Sequence, residues 1–160
     1  MKRAPPYSFC DVGSGAGRIV LSASALWGSE LWKVCRGVEV APALAELADE
    51  ALQQARASKI LKCRVDLQHA SWDDADLEDV DLAFAYSTAY ETNDDGELEQ
   101  FAKSMARKLA AGAVLVTVDH PLKLGDGAFR ELERRHGAGV YGAPGLGADV
   151  YIYERTRPDS

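Results

Sequence analysis

Apolar runs alternate with helical patterns along most of this chain, the signature of a parallel sheet covered by helices. "YSFCDV" (Tyr7 to Val12) predicts a first strand. "AGRIVLSASALW" predicts a helix with Ile19, Ala23 and Leu26 on one face and Gly28 closing it. "KVCRGVEV" predicts a second strand. Pro42 suits the first turn of a following helix, whose apolar stripe is Leu44, Leu47, Ala48, Ala51, Leu52 and Ala55. "LKCRVDLQHA" alternates, with Cys63, Val65 and Leu67 on one side and Arg64, Asp66 and Gln68 on the other.

After the acidic connection "SWDDADLED", the nearly continuous apolar run "VDLAFAY" predicts a fourth strand buried on both faces. Asp94 with Glu97 resembles a capping box, opening a helix that buries Leu98, Phe101, Ala102, Met105 and Leu109 and stops at Gly112. "AVLVTVDH" predicts a fifth strand. A short helix is expected around Phe129 to Arg135. "GAGVYGAPGLGADVYIYER" then predicts two strands joined by a Gly/Pro turn. The expectation is an α/β fold, mostly parallel, with a C-terminal antiparallel hairpin and helices on both faces.

The 160 residues suit one domain, 1–160, with a short leader at 1–6 and a tail at 156–160. The sequence has no internal repeat or low-complexity segment. The start, "MKRAPPYSFC", is basic but lacks an apolar signal region, so an intracellular protein is expected. No apolar run is long enough to cross a bilayer. Cys10, Cys35 and Cys63 are odd in number, widely spaced and each within a predicted strand. They are expected as reduced core thiols, with metal ligation the lesser alternative. His69 and His136 have no partner spacing, so no metal site is expected. The net charge of −7 offers no overall basic surface for nucleic-acid phosphates. An acidic surface would tolerate a basic peptide, although solubility explains the balance equally well.

The candidate chemistry begins where the first strand ends. "DVGSGAGR" places Gly13, Gly15 and Gly17 at alternate positions between a strand and a helix. Such a loop lies at the carboxyl edge of an open α/β sheet, where ligands bind. The G-x-G-x-x-G/A dinucleotide spacing would need a small residue where Arg18 stands. A tight turn without a ligand is the competing explanation. Glu39 ends the second strand, about twenty residues beyond the loop, where a carboxylate accepts hydrogen bonds from a ribose. NAD and S-adenosylmethionine (SAM) both carry one, and a solvated glutamate would look the same.

Together, "DVGSGAGR", Glu39 and the acidic turn before "VDLAFAY" resemble a class I SAM-dependent methyltransferase. The nearer likeness is to the non-SET histone lysine methyltransferases, the disruptor of telomeric silencing family. "CDVGSGAGRIVLSAS", "GVEVAPALAELA", "VDLAFAYSTAYETNDDGELEQF" and "GADVYIYER" resemble its motifs in order, over about Tyr7 to Arg155. The resemblance implies a Rossmann-like seven-stranded methyltransferase sheet, SAM as cofactor and a basic protein such as a histone as partner. It also implies a nuclear protein, or a cytoplasmic one if the acceptor is not a histone. By the same resemblance, Asp11, Gly13, Ser14, Gly15 and Gly17 line the methionine and ribose part of SAM, and Glu39 holds the ribose hydroxyls.

The family's Gly-Asp-Phe adenine motif falls on Ala70, Ser71 and Trp72. Trp72 keeps the aromatic platform, and Ser71 replaces the acid without its charge; Asp73 or Asp74 could substitute. The family's two asparagines beside the methyl group fall on Tyr86 and Ser87. Tyr86 and Tyr90 would then be walls of an acceptor channel, with Ser87 and Thr88 as polar guides. Packing at a strand end is the competing role. His120 follows the fifth strand, as a turn residue before Pro121 or, less expectedly, a general base. The family also has a longer segment before its first strand, so the chain is expected to be a fragment or a minimal member.

The rival functions are a methyltransferase for another protein or small molecule, a nicotinamide-dependent oxidoreductase, and a SAM-binding module without activity. The glycine spacing argues against the oxidoreductase.

Overall fold

The computed structural model describes residues 4–125, 127–138 and 147–157. Strands and helices follow in the order β1 (Tyr7–Val12), α1 (Arg18–Leu26), α2 (Gly28–Leu31), β2 (Trp32–Glu39), α3 (Pro42–Ala57), β3 (Arg64–His69), β4 (Leu82–Tyr86), α4 (Glu99–Lys108), β5 (Val114–Val118), β6 (Phe129–Ala138) and β7 (Ala148–Arg155). A single 3₁₀ turn, Ser87–Ala89, follows β4.

The seven strands form one sheet in the order β3-β2-β1-β4-β5-β7-β6. The pairs among β1 to β5 are parallel, and β7 runs antiparallel between β5 and β6. The expected Rossmann-like architecture is therefore present. The strand order reverses direction at β1, so a crevice opens at the carboxyl ends of β1 and β4.

Alternation along the strands divides the core between two faces. Phe9 and Cys35 join Val20, Ala23, Leu52 and Val65 under α1 and α3. Cys10, Val12 and Val38 join Ala83, Ala85, Leu115, Phe101 and Met105 under α4. Helices cover both faces of the sheet because strands in its middle are apolar on both. The Sγ atoms of Cys35 and Cys63 lie 3.6 Å apart, and all three cysteines are free thiols. Burial pushes the Cys10 thiol up to about 12, with a further rise from the neighbouring Asp11 carboxylate.

Several local expectations are corrected. The segment expected as a helix around Phe129 to Arg135 is strand β6. Its Arg, Glu and Leu favour a helix locally, but pairing with β7 overrides that preference. Arg130 meets Glu154 across the strands at 2.5 Å, and the Arg134 guanidinium lies 4.6 Å from the Tyr151 ring centroid. A charged outer strand also protects the sheet from edge-to-edge pairing. The hairpin partner of β7 is therefore β6, and the expected Gly/Pro turn lies outside the described residues.

Helix α1 buries Val20, Ala23 and Ser24, while Ile19 and Leu26 are exposed. Its buried face is thus rotated from the expected one. Gly28 does not merely close α1; it opens the four-residue α2. Leu44 and Leu47 on α3 are exposed, leaving Ala48, Leu52 and Ala55 as its buried stripe.

The expected capping box at Asp94 is displaced by one residue. Asn93 Oδ1 accepts from the Asp95 and Glu97 N–H groups, and its amide donates to Glu97, all before α4 begins. The buried residues Leu98, Phe101, Ala102, Met105 and Leu109 are as expected.

Leu115 is fully buried in β5, between β4 and β7. Leu115→Ala should lower the unfolding free energy by about 2–5 kcal/mol through lost burial and a residual cavity. Urea unfolding of the purified variant measures this. A loss below about 1 kcal/mol would show that the sheet collapses around the site without cost.

Candidate functional site

The crevice is a cleft of about 390 Å³ lined by Gly13, Gly15, Glu39, Ala70, Trp72, Tyr86, Ala89, Tyr90 and Glu91, with Val38, Val40 and Leu44 beside them. Its volume falls within the ordinary range for small-molecule sites. The glycine loop forms its floor. Val38 O accepts from the N–H groups of Gly13 and Ser14, at 2.8 and 3.0 Å.

Glu39 is buried, and each of its carboxylate oxygens holds a backbone donor. Oε2 accepts from Gly15 N and Oε1 from Ala41 N, both at 2.8 Å. The expected ribose ligand is thus also the brace of the loop. Each oxygen has a second lone pair to offer.

Asp11, at 2% exposure, has an Oδ1 with no hydrogen-bond partner. Burial, followed by the charge of Glu39, pushes its carboxyl from the ordinary 3.8 up to about 7.

The three glycines have different roles. Gly13 takes φ 76°, and a Cβ there would overlap the Tyr90 hydroxyl. Gly15 has open space where its Cβ would stand, so its backbone can approach a ligand. Gly17 precedes α1 and faces Ala48 and Leu67, away from the cleft. Ser14 is nearly buried and lies between the loop, α3 and β3, outside the main cleft.

Trp72, the expected aromatic platform, lines the cleft. Its ring centroid lies 4.8 Å from Tyr90 and 5.4 Å from Phe101, and Tyr90 stands 5.2 Å from Phe101. The contacts with Phe101 are edge-on, a favourable arrangement for aromatic quadrupoles. The platform is therefore a three-ring cluster, and α4 supplies its base. Nothing local in the "HASW" segment points to Phe101; only the buried stripe of α4 does.

Ser71 does not line the cleft. Its Oγ accepts from Asp73 N at 3.2 Å, which shapes the acidic turn. Asp73 accepts from Ser104 at 2.5 Å, and neither it nor Asp74 reaches the cleft lining.

Beyond β4, Tyr86 is 54% exposed at the cleft mouth. Ser87 is fully buried and donates to Val118 O at 2.5 Å. Thr88 is exposed and donates to Asp119 Oδ2. Neither hydroxyl lines the cleft, so the expected polar guides are instead anchors between the 3₁₀ turn and the end of β5. The His120 carbonyl accepts from Thr117, and its imidazole does not line the cleft. Glu91 lines it and was missed, because a lone glutamate beyond a strand carries no motif. Among the described residues no cluster of His, Cys, Asp and Glu could hold a metal ion.

Residues 10–117 match the family model described as a methyltransferase domain. The chain belongs to this methyltransferase family. The methyltransferase is similar in fold to an RNA methyltransferase from Salinibacter ruber in complex with S-adenosyl-L-homocysteine. The two are 18% identical with a TM-score of 0.66, over 96% of this chain and 87% of that one. A variant of MtNAS in complex with S-adenosylmethionine is 12% identical, with a TM-score of 0.66 over 96% of this chain and 56% of that one. The YcgJ protein of Bacillus subtilis is 13% identical, with a TM-score of 0.60 over 98% and 94%. No curated protein matches the sequence.

The methyltransferase is of class I and uses SAM. Its cleft fits that cofactor on its own geometry. An open glycine, a braced carboxylate and an aromatic ring line it together, and the buried Asp11 carboxyl, whose Oδ1 has no partner, is close enough to Glu39 to feel its charge. Four of the expected contacts, Asp11, Ser14, Gly17 and Ser71, are absent from that lining.

Two predictions follow from these carboxylates. The folded Asp11 carboxyl titrates above its unfolded value, so its stabilising protonated form is fully present below about pH 4 and is lost as pH rises through about 7. Asp11→Asn should therefore be more stable than the parent at pH 8, with a difference that shrinks toward pH 4. Urea midpoints across that range test this; a difference independent of pH would mean that Asp11 is not desolvated. Glu39→Ala should weaken SAM binding by roughly 1.5–3 kcal/mol, the value of a hydrogen bond to a charged group. Calorimetric titration with SAM measures the loss, and unchanged affinity would remove Glu39 from the site.

Proposed function

We propose that this methyltransferase acts on an amine, with a protein lysine on a basic segment, such as a histone tail, as the first candidate. The observation that carries this is the charge of the cleft. Glu39 and Glu91 are its ionisable lining groups apart from the tyrosines, and no lysine, arginine or histidine is among the lining residues. Such a wall favours a cationic acceptor over a phosphate-bearing one.

The cofactor supplies a methyl group made electrophilic by a sulfonium. The protein positions and desolvates. Glu39 would hold the ribose, Gly13 and Gly15 would admit the chain of the cofactor to their backbone, and Trp72 would pack on adenine. Glu91 draws the ammonium to the mouth. Between the rings of Tyr86 and Tyr90, lost hydration favours the neutral amine, which holds the lone pair needed for attack. Alignment and exclusion of water then supply most of the rate gain.

A small-molecule amine is the second reading. The burial of Ser87 favours it, because no side chain from that position reaches the cleft in place of the histone family's asparagine. The test is formation of S-adenosyl-L-homocysteine from SAM with a histone octamer, a lysine-rich peptide, small primary amines, a phenol and an RNA oligonucleotide. Methyl-lysine in the peptide by mass spectrometry is the expected outcome. Turnover with the phenol or RNA and none with any amine would sink the proposal.

A further inference from the structure

We propose that Tyr90 positions the amino-acid end of the cofactor, beyond its place in the acceptor wall; this rests on the SAM reading of the cleft. Its phenol donates its single proton to the Val12 carbonyl, so toward the cleft the oxygen can only accept. That oxygen lies over the Cα of Gly13, which lines the cleft and could not carry a Cβ beneath it. The ionisable groups that act on it are Asp11, Glu39 and, least, Cys10. With burial as the larger cause, their charges hold the phenol well above the usual tyrosine range, so it stays protonated.

The phenol oxygen thus belongs to a cleft that has Glu39 and no cation among its lining residues, with the buried Asp11 carboxyl close enough to act on it. The ligand group that can donate to such a set is an ammonium, and SAM carries one on its methionyl part. The phenol is also held in advance. Tyr90 N donates to Ser87 O at 3.0 Å, and the turn is tied to β5 through Ser87 and Thr88. Ordering cost is therefore met before the ligand arrives.

Tyr90→Phe removes only the oxygen and keeps the ring against Trp72 and Phe101. The experiment is calorimetry of parent and variant with S-adenosyl-L-homocysteine, which carries the ammonium, and with 5′-methylthioadenosine, which keeps adenosine and thioether but lacks it. Affinity for S-adenosyl-L-homocysteine should fall about tenfold or more, as for a hydrogen bond to a charged group. Affinity for 5′-methylthioadenosine should stay within about twofold. As a control on the same cleft, Glu39→Gln should weaken 5′-methylthioadenosine as well, through the shared ribose.

An equal loss for both ligands in Tyr90→Phe would assign Tyr90 to packing on Trp72 and overturn the proposal. No loss for either would overturn it as well. A parent that binds neither ligand would instead remove the SAM reading and the proposal with it.

Discussion

Four backbone N–H groups converge on the last two residues of β2. Val38 O takes those of Gly13 and Ser14, and the Glu39 carboxylate takes those of Gly15 and Ala41. Without these acceptors the glycine loop would be a run of unpaired donors at a nearly buried strand edge, an expensive arrangement. With them, the loop is folded against β2 and the crevice beside β1 stays open. The start of α3 is fixed by the same carboxylate through Ala41. One side chain therefore sets the loop, a helix entry and the polar wall of the cleft. A glutamate that only met a ribose would leave the loop's shape to chance.

The opposite wall is fixed by aromatic contact. Phe101 reaches up from α4, Trp72 leans on it, and Tyr90 completes the cluster with its hydroxyl on the Val12 carbonyl. That hydroxyl occupies the space a side chain at residue 13 would need. Gly13 is thus a glycine for the tyrosine's sake as much as for a ligand's. The cofactor loop and the acceptor-side turn meet at this contact, so a shift in either moves the other.

The parallel core was legible because each of its strands is an apolar run bounded by turn residues. "VDLAFAY" and "AVLVTVDH" need no tertiary knowledge to be seen as buried strands. Strand β6 was not legible: "FRELERR" is helical by composition, and only its cross-strand partners Glu154 and Tyr151 make it extended. At the site, Gly13, Gly15, Glu39, Trp72 and Tyr90 stood in recognisable segments and do line one cleft. Ser87 and Ser71 did not reach it, because a hydroxyl's direction depends on which backbone groups lie within range. Ser87 finds Val118 O, and Ser71 finds Asp73 N. Spacing along the chain encodes neither partner.

The electrostatics of the cleft carry a cost that bears on how it works. Burying one Asp11 oxygen without a partner, close to Glu39, favours the protonated carboxyl and takes stability from the protein at neutral pH. An asparagine at that position, next to the last residue of β1, would carry no such ionisation penalty. The placement is sensible if a positive group completes the site. A cation entering beside Asp11 would favour its ionised form and so release a proton as it binds. The penalty in the empty state then becomes differential affinity for a charged ligand over a neutral one of the same shape. With Glu39 and Glu91 in a lining that holds no basic residue, the potential of the cleft favours a positive ligand group over a neutral one.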